Sequence, residues 1–261
     1  MTDALVGWSG FVGGTLLRQH VFSDRFRSTD IDRIRGAEFD TVYCAGAPAQ
    51  KWIANQAPDR DRSQLGTLIS ALAEVHCRRL VLISTVDVFG DPAGVDEDSV
   101  ASDEGLHAYG RHRRQLEKFV EDRFPNHLIV RLPGLVGPGL RKNVIFDLHN
   151  KNRLDLVDSR NVFQFYPMVN LAYDIDVALH AGLRLVHLTA APISVADVAM
   201  HCFGHSFYQH LDIQPARYDF RTRHASLFGG IREYQYDERA TKQAIRAYAQ
   251  SEPHASIKGA P

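Results

Sequence analysis

Cysteine is scarce in this chain. Cys44, Cys77 and Cys202 are widely spaced and odd in number across 261 residues, which argues against a disulfide framework. Long apolar runs are lacking too: nothing approaches the roughly 20 residues that a helix needs to cross a bilayer. The opening residues, with Thr2 and Asp3, lack the basic-then-apolar order of a secretory signal, so a soluble cytoplasmic protein is expected. Charge of one sign is also missing. Lysine and arginine number 30 against 31 acids, a formal net charge of -1. No whole-protein field therefore draws the chain to nucleic acid or to an anionic membrane, and neither is expected as a partner. There is no internal repeat and no low-complexity segment. What the chain does have is a hydrophobic fraction of 44%, enough for a full core in one large domain, or one domain with a small appendage.

The amino-terminal stretch is organised chemistry. The apolar run Ala4-Leu5-Val6 meets glycines at 7, 10 and 13, and a helical pattern follows from Phe11. This reads as a buried strand, a tight turn and a helix whose first turn carries little side-chain bulk. Glycine suits such a turn because the backbone takes unusual angles and because a phosphate must approach the main chain. The helix start offers unpaired N–H groups and a positive dipole end, which together hold a pyrophosphate.

The remainder alternates. Residues 25–31 and 39–45 read as strands, and residues 58–76 as a long helix with Leu65, Leu68, Ile69, Leu72 and Val75 at helical spacing. Residues 79–84 read as a buried strand, 91–105 as an acidic loop, 107–123 as a helix, and 128–132 as a strand broken by Pro133 and Gly134. Beyond Pro138 the pattern loosens into a helix at 144–150, a strand-like stretch at 161–167, a helix at 170–182, a strand at 185–189 and a helix at 194–203. Apolar strands between helices predict an α/β fold with a parallel sheet covered on both faces. Ligands of such sheets bind at the carboxyl ends of the strands. Three signals fall there: the glycine turn, the segment Ser84-Thr85-Val86-Asp87-Val88-Phe89-Gly90, and the helix start Tyr109-Gly110-Arg111-His112-Arg113.

Together these motifs resemble the extended short-chain dehydrogenase/reductase superfamily, the group of nucleotide-sugar epimerases, dehydratases and ketoreductases. The similarity runs from Ala4 to about Ala199. Gly7-Trp8-Ser9-Gly10-Phe11-Val12-Gly13 fits the group's GxxGxxG turn, and Cys44-Ala45-Gly46 its third-strand motif beside the cofactor. Ser63-Gln64-Leu65-Gly66-Thr67 resembles NxxGT, with serine for asparagine. Residues 84–90 fit the catalytic strand, and Arg131-Leu132-Pro133-Gly134-Leu135-Val136-Gly137-Pro138 the segment flanking the nicotinamide. Phe165-Tyr166-Pro167-Met168-Val169-Asn170-Leu171-Ala172 sits where the group carries a late strand before a helix.

The resemblance implies a Rossmann-type doubly wound parallel sheet with a small C-terminal substrate-binding region. Residues 1–138 would form the dinucleotide-binding domain, with strand and helix returning at 161–203. Residues 139–250 would form a reduced substrate region and 251–261 a disordered tail. The implied activity is NAD(P)-dependent hydride transfer at a sugar or nucleotide-sugar carbonyl, by an oxidoreductase or epimerase. Tyr109 would be its acid/base residue, Thr85 the partner at the substrate oxygen, and Arg113 the adjacent cation. Hydride transfer needs a proton to move at the attached oxygen, and a phenol needs a nearby cation to release one near neutral pH. Cofactor contacts would come from Gly7, Ser9, Gly10, Phe11, Val12, Gly13, Asp30, Ile31, Cys44, Ala45, Gly46, Ser63, Leu132 and Pro133. Asp87, Gly134, Asn143 and Arg221 would line the substrate. Dimers built on the helices at 58–76 and 107–123 are common in the group, so a homodimer is a further expectation.

The chain departs from the family pattern at informative positions. Arg113 stands where YxxxK has lysine; arginine keeps the charge but cannot yield a proton. Dehydratases carry an Asp-Glu pair after the catalytic threonine, and here those positions hold Val86 and Asp87, which disfavours elimination of water. Gly134 replaces an asparagine common in epimerases. The cofactor is open between NAD and NADP: the stretch Arg27-Ser28-Thr29-Asp30-Ile31 offers both an acid for a ribose diol and groups for an extra phosphate. His201, Cys202 and His205 lack a fourth ligand at a recognisable spacing, so no metal is expected. The basic run at 111–114 precedes Glu117, Glu121 and Asp122 and reads as a solvated helix face. Two other roles stay open: a non-catalytic dinucleotide sensor or scaffold, suggested by Arg113, and a reductase of a non-sugar ketone, suggested by the short second half.

Overall fold

The computed structural model describes residues 2–255. Its first part runs β1 (Asp3–Val6), α1 (Phe11–Gln19), β2 (Asp24–Phe26), β3 (Glu38–Cys44), α2 (Lys51–Gln56), α3 (Pro58–Ala73) and β4 (His76–Thr85). Then come β5 (Ala93–Val95), α4 (Ala108–Arg123), β6 (His127–Leu132), β7 (Gly134–Val136), α5 (Val144–Asn150), β8 (Val162–Phe163) and β9 (Phe165–Pro167). The last elements are α6 (Leu171–His180), β10 (Leu185–His187), β11 (Ile193–Ser194), α7 (Val195–Phe203), β12 (Asp219–Phe220) and α8 (Glu238–Ser251). They fall into two compact units.

The first unit comprises Met1–Asp91, Glu97–Leu132 and Asn170–His187. It holds a six-stranded sheet in the order β10-β6-β4-β3-β1-β2, every neighbouring pair parallel. The α/β, Rossmann-type expectation is met. Successive side chains of a strand point to opposite faces. Ala4, Val6, Val42, Cys44, Leu80 and Leu82 therefore share one core with Leu65, Leu68 and Leu72 of α3 and Leu116 and Val120 of α4. Tyr43 points the other way and meets the rings of His20 and Phe22, just after α1. Helix α1 packs with α6, where the Gln19 side-chain oxygen accepts the Ala172 N–H at 2.9 Å.

The strand order places the functional end of this sheet. From β1 the chain steps outward to β2, then returns past β1 to build β3, β4 and β6. The order thus reverses between β1 and β3, the switch point outside which open α/β sheets bind ligands. Val6 pairs with Cys44 and Thr85 with Leu132, so the carboxyl ends of β1 and β3, and those of β4 and β6, lie side by side.

Several boundaries differ from the sequence reading. The strand expected at 25–31 closes at Phe26, because Asp30 folds the chain back: its carboxylate accepts the Arg27 N–H at 2.7 Å, and Ile31–Ile34 winds into a 3-10 turn. The helix expected over 58–76 ends at Ala73, and β4 begins at His76, earlier than residue 79. The acidic loop at 91–105 contains β5, which pairs with β12. Helices α2 and α8 were not foreseen.

The second unit comprises Pro92–Asp96, Pro133–Val169 and Leu188–Pro261. Its strands are short pairs, β11 with β8, β12 with β5 and β7 with β9. Its organising residue is the buried Gln164. The Gln164 amide nitrogen donates to Thr189 Oγ1, Ala190 O and Phe220 O at 3.0, 2.7 and 2.7 Å, and its oxygen accepts the Phe220 N–H at 2.7 Å. Of the tail expected at 251–261, Glu252 accepts the Gly139 N–H at 3.0 Å; residues 256–261 lie outside the described residues.

Leu82, 1% exposed at the centre of the shared core, tests this packing. Leu82→Ala is expected to cost about 2–5 kcal/mol, read as a lowered denaturation midpoint with an unchanged m-value.

Candidate functional site

The site is built on the first unit, at the carboxyl ends of β1, β3 and β4. Gly7 takes φ +86°, which favours glycine. A Cβ on Gly7 would lie 2.3 Å from the Ala45 carbonyl oxygen, and one on Gly13 would lie 2.1 Å from the Gly7 oxygen. These two glycines are required by the protein's own packing. Gly10 is different: it is exposed, and the nearest protein atom to its Cβ would be 3.4 Å away. Its bareness leaves the start of α1 open from outside. Gly10 caps α1 with no side chain, and no acidic residue occupies the first turn. A pyrophosphate fits this cradle of bare backbone and positive dipole end. Ser9 is exposed at its rim, Phe11 and Val12 open the helix, and Gly46 lies so near that a Cβ there would meet Val6 Cγ1 at 2.8 Å. Cys44 is fully buried and burial pushes its thiol up to about 11, so its contribution to the site is main-chain placement.

Two guanidinium groups border the turn. Arg25 and Arg27, at and just after β2, lie 6.0 and 5.8 Å from the Trp8 ring centre. Trp8 belongs to the glycine turn, so the cations stand beside the cradle. Asp30 holds the Arg27 N–H, while Ile31 is buried in the core. The sequence reading placed Arg27 in the stretch that offers groups for an extra phosphate, but did not single out Arg25. The cue was there: two basic residues at alternate positions closing the second strand.

The tyrosine expected to be the acid/base residue lies on α4. Gly110 lets this helix approach the end of β4, since a Cβ there would sit 2.0 Å from the Asp87 carbonyl oxygen. Tyr109, 8% exposed, is thereby brought near Thr85, whose hydroxyl pulls the phenol pKa down. Thr85 Oγ1 accepts the Asp87 N–H at 3.2 Å and donates to Asp87 Oδ2 at 3.4 Å. Burial raises the phenol pKa, and this is the largest effect; Arg113 pulls it down, Asp87 pushes it up, and the Thr85 hydroxyl and Lys51 pull it down. The net direction is upward. The phenol keeps its proton through neutral pH and is placed as a donor, whereas the cation alone would favour proton release.

Arg113 lies over the Tyr109 ring, 4.0 Å from its centre. Its charge has a counter-ion. The Arg113 guanidinium donates to Asp61 Oδ2 of α3 at 2.5 Å and to the Pro48 carbonyl, and His112 Nδ1 meets the same Asp61 oxygen at 2.7 Å. All three side chains are buried. Helix α2 adds two residues absent from the sequence reading. Asn55 accepts the Tyr109 N–H at 3.0 Å, and Lys51 pairs with Asp87 at 2.7 Å. Spacing gave no cue to them, because α2 is too short to show a period.

The other expected residues are placed as follows. Ser63 is exposed on α3, and Leu132 ends β6 beside Thr85. In the second unit, Pro133 leads into β7, and Gly134 opens that strand, where a Cβ would meet the Gln164 carbonyl oxygen at 2.6 Å. Asn143, at φ +97°, caps α5: its Oδ1 accepts the N–H groups of Ile145 and Phe146, and its amide donates to Leu135 O at 2.9 Å. Arg221 is held by Asp219 at 2.5 Å and by Glu233 at 3.1 Å. Among the described residues no cluster of three or more His, Cys, Asp or Glu could hold a metal ion, and no helix is long and apolar enough to cross a membrane.

No protein-family model matches the sequence, and no curated protein matches it. Solved structures do match. The dTDP-4-dehydrorhamnose reductase of Clostridium acetobutylicum superposes with TM-score 0.73 at 19% identity, covering 96% of this chain and 99% of that one. The dTDP-4-dehydrorhamnose reductase of Bacillus anthracis, in complex with NADP, gives 0.73 at 17%, over 97% and 99% of the two chains. The enzyme WbmG of Bordetella bronchiseptica, in complex with NAD, gives 0.75 at 15%, over 96% and 94%. The chain shares their fold. The Rossmann-type α/β fold expected from the motifs is the fold it shares with them. Within that architecture Gly110 sets the distance between the phenol and Thr85. Gly110→Ala is expected to force α4 from the Asp87 carbonyl and lower any Tyr109-dependent activity about 10²-fold, measured alongside the melting temperature; retained activity would show that the close approach is not required.

Proposed function

We propose that this protein is an NADPH-dependent reductase of a carbonyl group on a sugar or nucleotide sugar. The observation that carries the reading is the buried, protonated Tyr109 phenol beside Thr85, in the same unit as an open glycine cradle at the start of α1. Structures of the same fold hold NADP or NAD, and two of them are dTDP-4-dehydrorhamnose reductases. When bound, the reduced nicotinamide supplies the hydride.

The residues of the chain supply the rest. The backbone of residues 7–13 would seat the pyrophosphate, and Ala45 and Leu132 would flank the dinucleotide from neighbouring strands. Thr85 and Tyr109 would both hydrogen-bond the substrate oxygen and polarise the carbonyl. As negative charge develops there, Tyr109 would release its proton to that oxygen, giving the alcohol. A raised pKa makes the phenol a weaker acid, but it keeps the proton in place at neutral pH, and the phenol is still far more acidic than the alcohol that its proton completes. Arg113 keeps a cation against the ring as the phenolate forms.

NADP is favoured over NAD by the two guanidinium groups beside Trp8. Guanidinium groups recognise a phosphate by charge and paired N–H donors. A second reading keeps the reductase and changes the substrate to a ketone without a diphosphate. It is favoured by Arg221, whose guanidinium is already held by Asp219 and Glu233. Displacement calorimetry with nucleoside diphosphates separates the two: binding supports the nucleotide sugar, and no heat supports the simpler ketone.

Two outcomes test the main reading. Tyr109→Phe is expected to lower turnover about 10²–10⁴-fold while NADPH affinity stays nearly unchanged; equal turnover would refute the donor role. Replacing both Arg25 and Arg27 by serine is expected to weaken NADP binding roughly 10–100-fold and leave NAD binding within about 3-fold. An equal loss for both dinucleotides would remove the phosphate assignment.

A further inference from the structure

We propose that Lys51 of α2 is a positioning residue for Tyr109: by pairing with Asp87 it sets the charge that the phenol feels. This rests on the reading of Tyr109 as the proton donor. It concerns a residue outside the glycine turn, the catalytic strand and the YxxxK-like segment.

The geometry leads there in steps. A cation one helical turn after the tyrosine would ordinarily be the group that steadies a phenolate. Here Arg113 occupies that place, but Asp61 lies 2.5 Å from it and both are buried. A cation with a counter-ion at that distance presents the phenol with a dipole, whose field falls off faster than that of a lone charge. Its N–H groups are directed to Asp61 and to the Pro48 carbonyl. Arginine, moreover, does not change protonation state in this range. Arg113 is thus a fixed wall of the site.

Asp87 carries the opposite hazard. It lies two residues past Thr85, its Oδ2 is 3.4 Å from the Thr85 hydroxyl, and its charge pushes the phenol pKa up where that hydroxyl pulls it down. An uncompensated carboxylate at this place would oppose every step that leaves negative charge on the tyrosine. Lys51 Nζ meets the other oxygen of this carboxylate at 2.7 Å. One turn farther along α2, Asn55 holds the Tyr109 N–H. A single short helix therefore fixes both the backbone of the tyrosine and the charge beside its hydroxyl. The Lys51 side chain is 40% exposed, so its flexible stem keeps contact with solvent.

His107 also reaches Asp87, its Nε2 lying 4.0 Å from the Oδ1 that Lys51 holds at 2.7 Å, but it does so as a neutral ring. His107 lies 6.2 Å from Tyr109, ring centre to ring centre, and its Nδ1 accepts the Gly110 N–H at 3.0 Å. That bond needs an unprotonated Nδ1, so the capping ring is neutral; burial and Lys51 hold its pKa below the ordinary value. Asp61 and His112 pair with each other behind Arg113.

The test reads the phenol directly and needs no substrate. A difluorinated tyrosine placed at position 109, which ionises well below ordinary tyrosine, is titrated by fluorine NMR in the full chain without dinucleotide. Relative to the otherwise unchanged protein, Lys51→Met is expected to raise the midpoint by roughly one pH unit, the size of a nearby-charge effect. Lys51→Arg should hold the original midpoint. Adding Asp87→Asn to Lys51→Met should bring the midpoint back down, since the carboxylate that Lys51 compensates is gone. An unchanged midpoint in Lys51→Met would overturn the proposal, as would a raised one that Asp87→Asn does not reverse, which would mark a packing role only. Calorimetry with NADPH on the same samples keeps the two readings apart. Absence of binding in the unsubstituted protein would sink the reductase reading, whereas the titration alone decides the role of Lys51.

Discussion

The site depends on how closely a helix can approach the end of a strand. Tyr109 reaches Thr85 only because its neighbour on α4 has no side chain to hold the helix off the Asp87 carbonyl. Helix backbones cannot come that near when a Cβ intervenes, because the repulsion is between main-chain atoms and no rotamer relieves it. Once the approach is made, the consequences follow in order. The phenol is buried, burial favours its neutral form, and the groups around it must manage any charge that chemistry creates there.

Charge management in this unit is done in pairs. Asp61 takes Arg113 and His112, and Asp87 takes Lys51. Burying one of these ions alone would cost several kcal/mol, so the substitution of arginine for lysine one turn after the tyrosine cannot be read in isolation. It belongs with a buried aspartate on α3 that makes a permanent cation tolerable. The arrangement exchanges a titratable group inside the site for one at its edge, since Lys51 is the member of these pairs that solvent reaches most freely. The phenol pKa rises although a guanidinium lies 4.0 Å above its ring, because burial of the phenol outweighs the pull of that cation.

The sheet was legible in the sequence because its strands are buried on both sides and its turns contain glycine where the backbone demands it. The glycine turn, β3, β4, α4 and β6 all lie close to where period and apolar runs put them. What escaped was of two kinds. Helix α2 has too few residues for a 3.6-residue period to show, yet it carries Lys51 and Asn55. Asp61, in turn, sits in the polar opening of α3 among Asp59, Arg60 and Arg62, where a sequence reading sees only a solvated helix start. Its burial is decided by Arg113, 52 positions later, and no local pattern contains that information. In the second unit the strands are pairs of two or three residues, ordered by the side chain of Gln164, and such hubs leave no periodic trace.

This difference also separates residues that resemble functional ones from residues free to act. Asn143 and Arg221 occupy positions from which the fold's members were expected to grip a diphosphate. In this chain the Asn143 side chain closes the exposed N–H groups of α5, a task worth about 1 kcal/mol to the helix. The Arg221 guanidinium meets two carboxylates, and Tyr234 donates to Asp219 at 2.6 Å to complete that cluster. Recruiting Arg221 to a substrate would mean breaking these bonds first, and solvent-screened pairs of this kind each resist by up to about 1 kcal/mol. At Gly10, by contrast, nothing in the protein claims the space above the backbone. A position whose side chain is already engaged argues for structure, and one left bare without internal need argues for a ligand. By that criterion the amino-terminal turn is shaped for a ligand, whereas Asn143 and Arg221 serve the second unit's own structure.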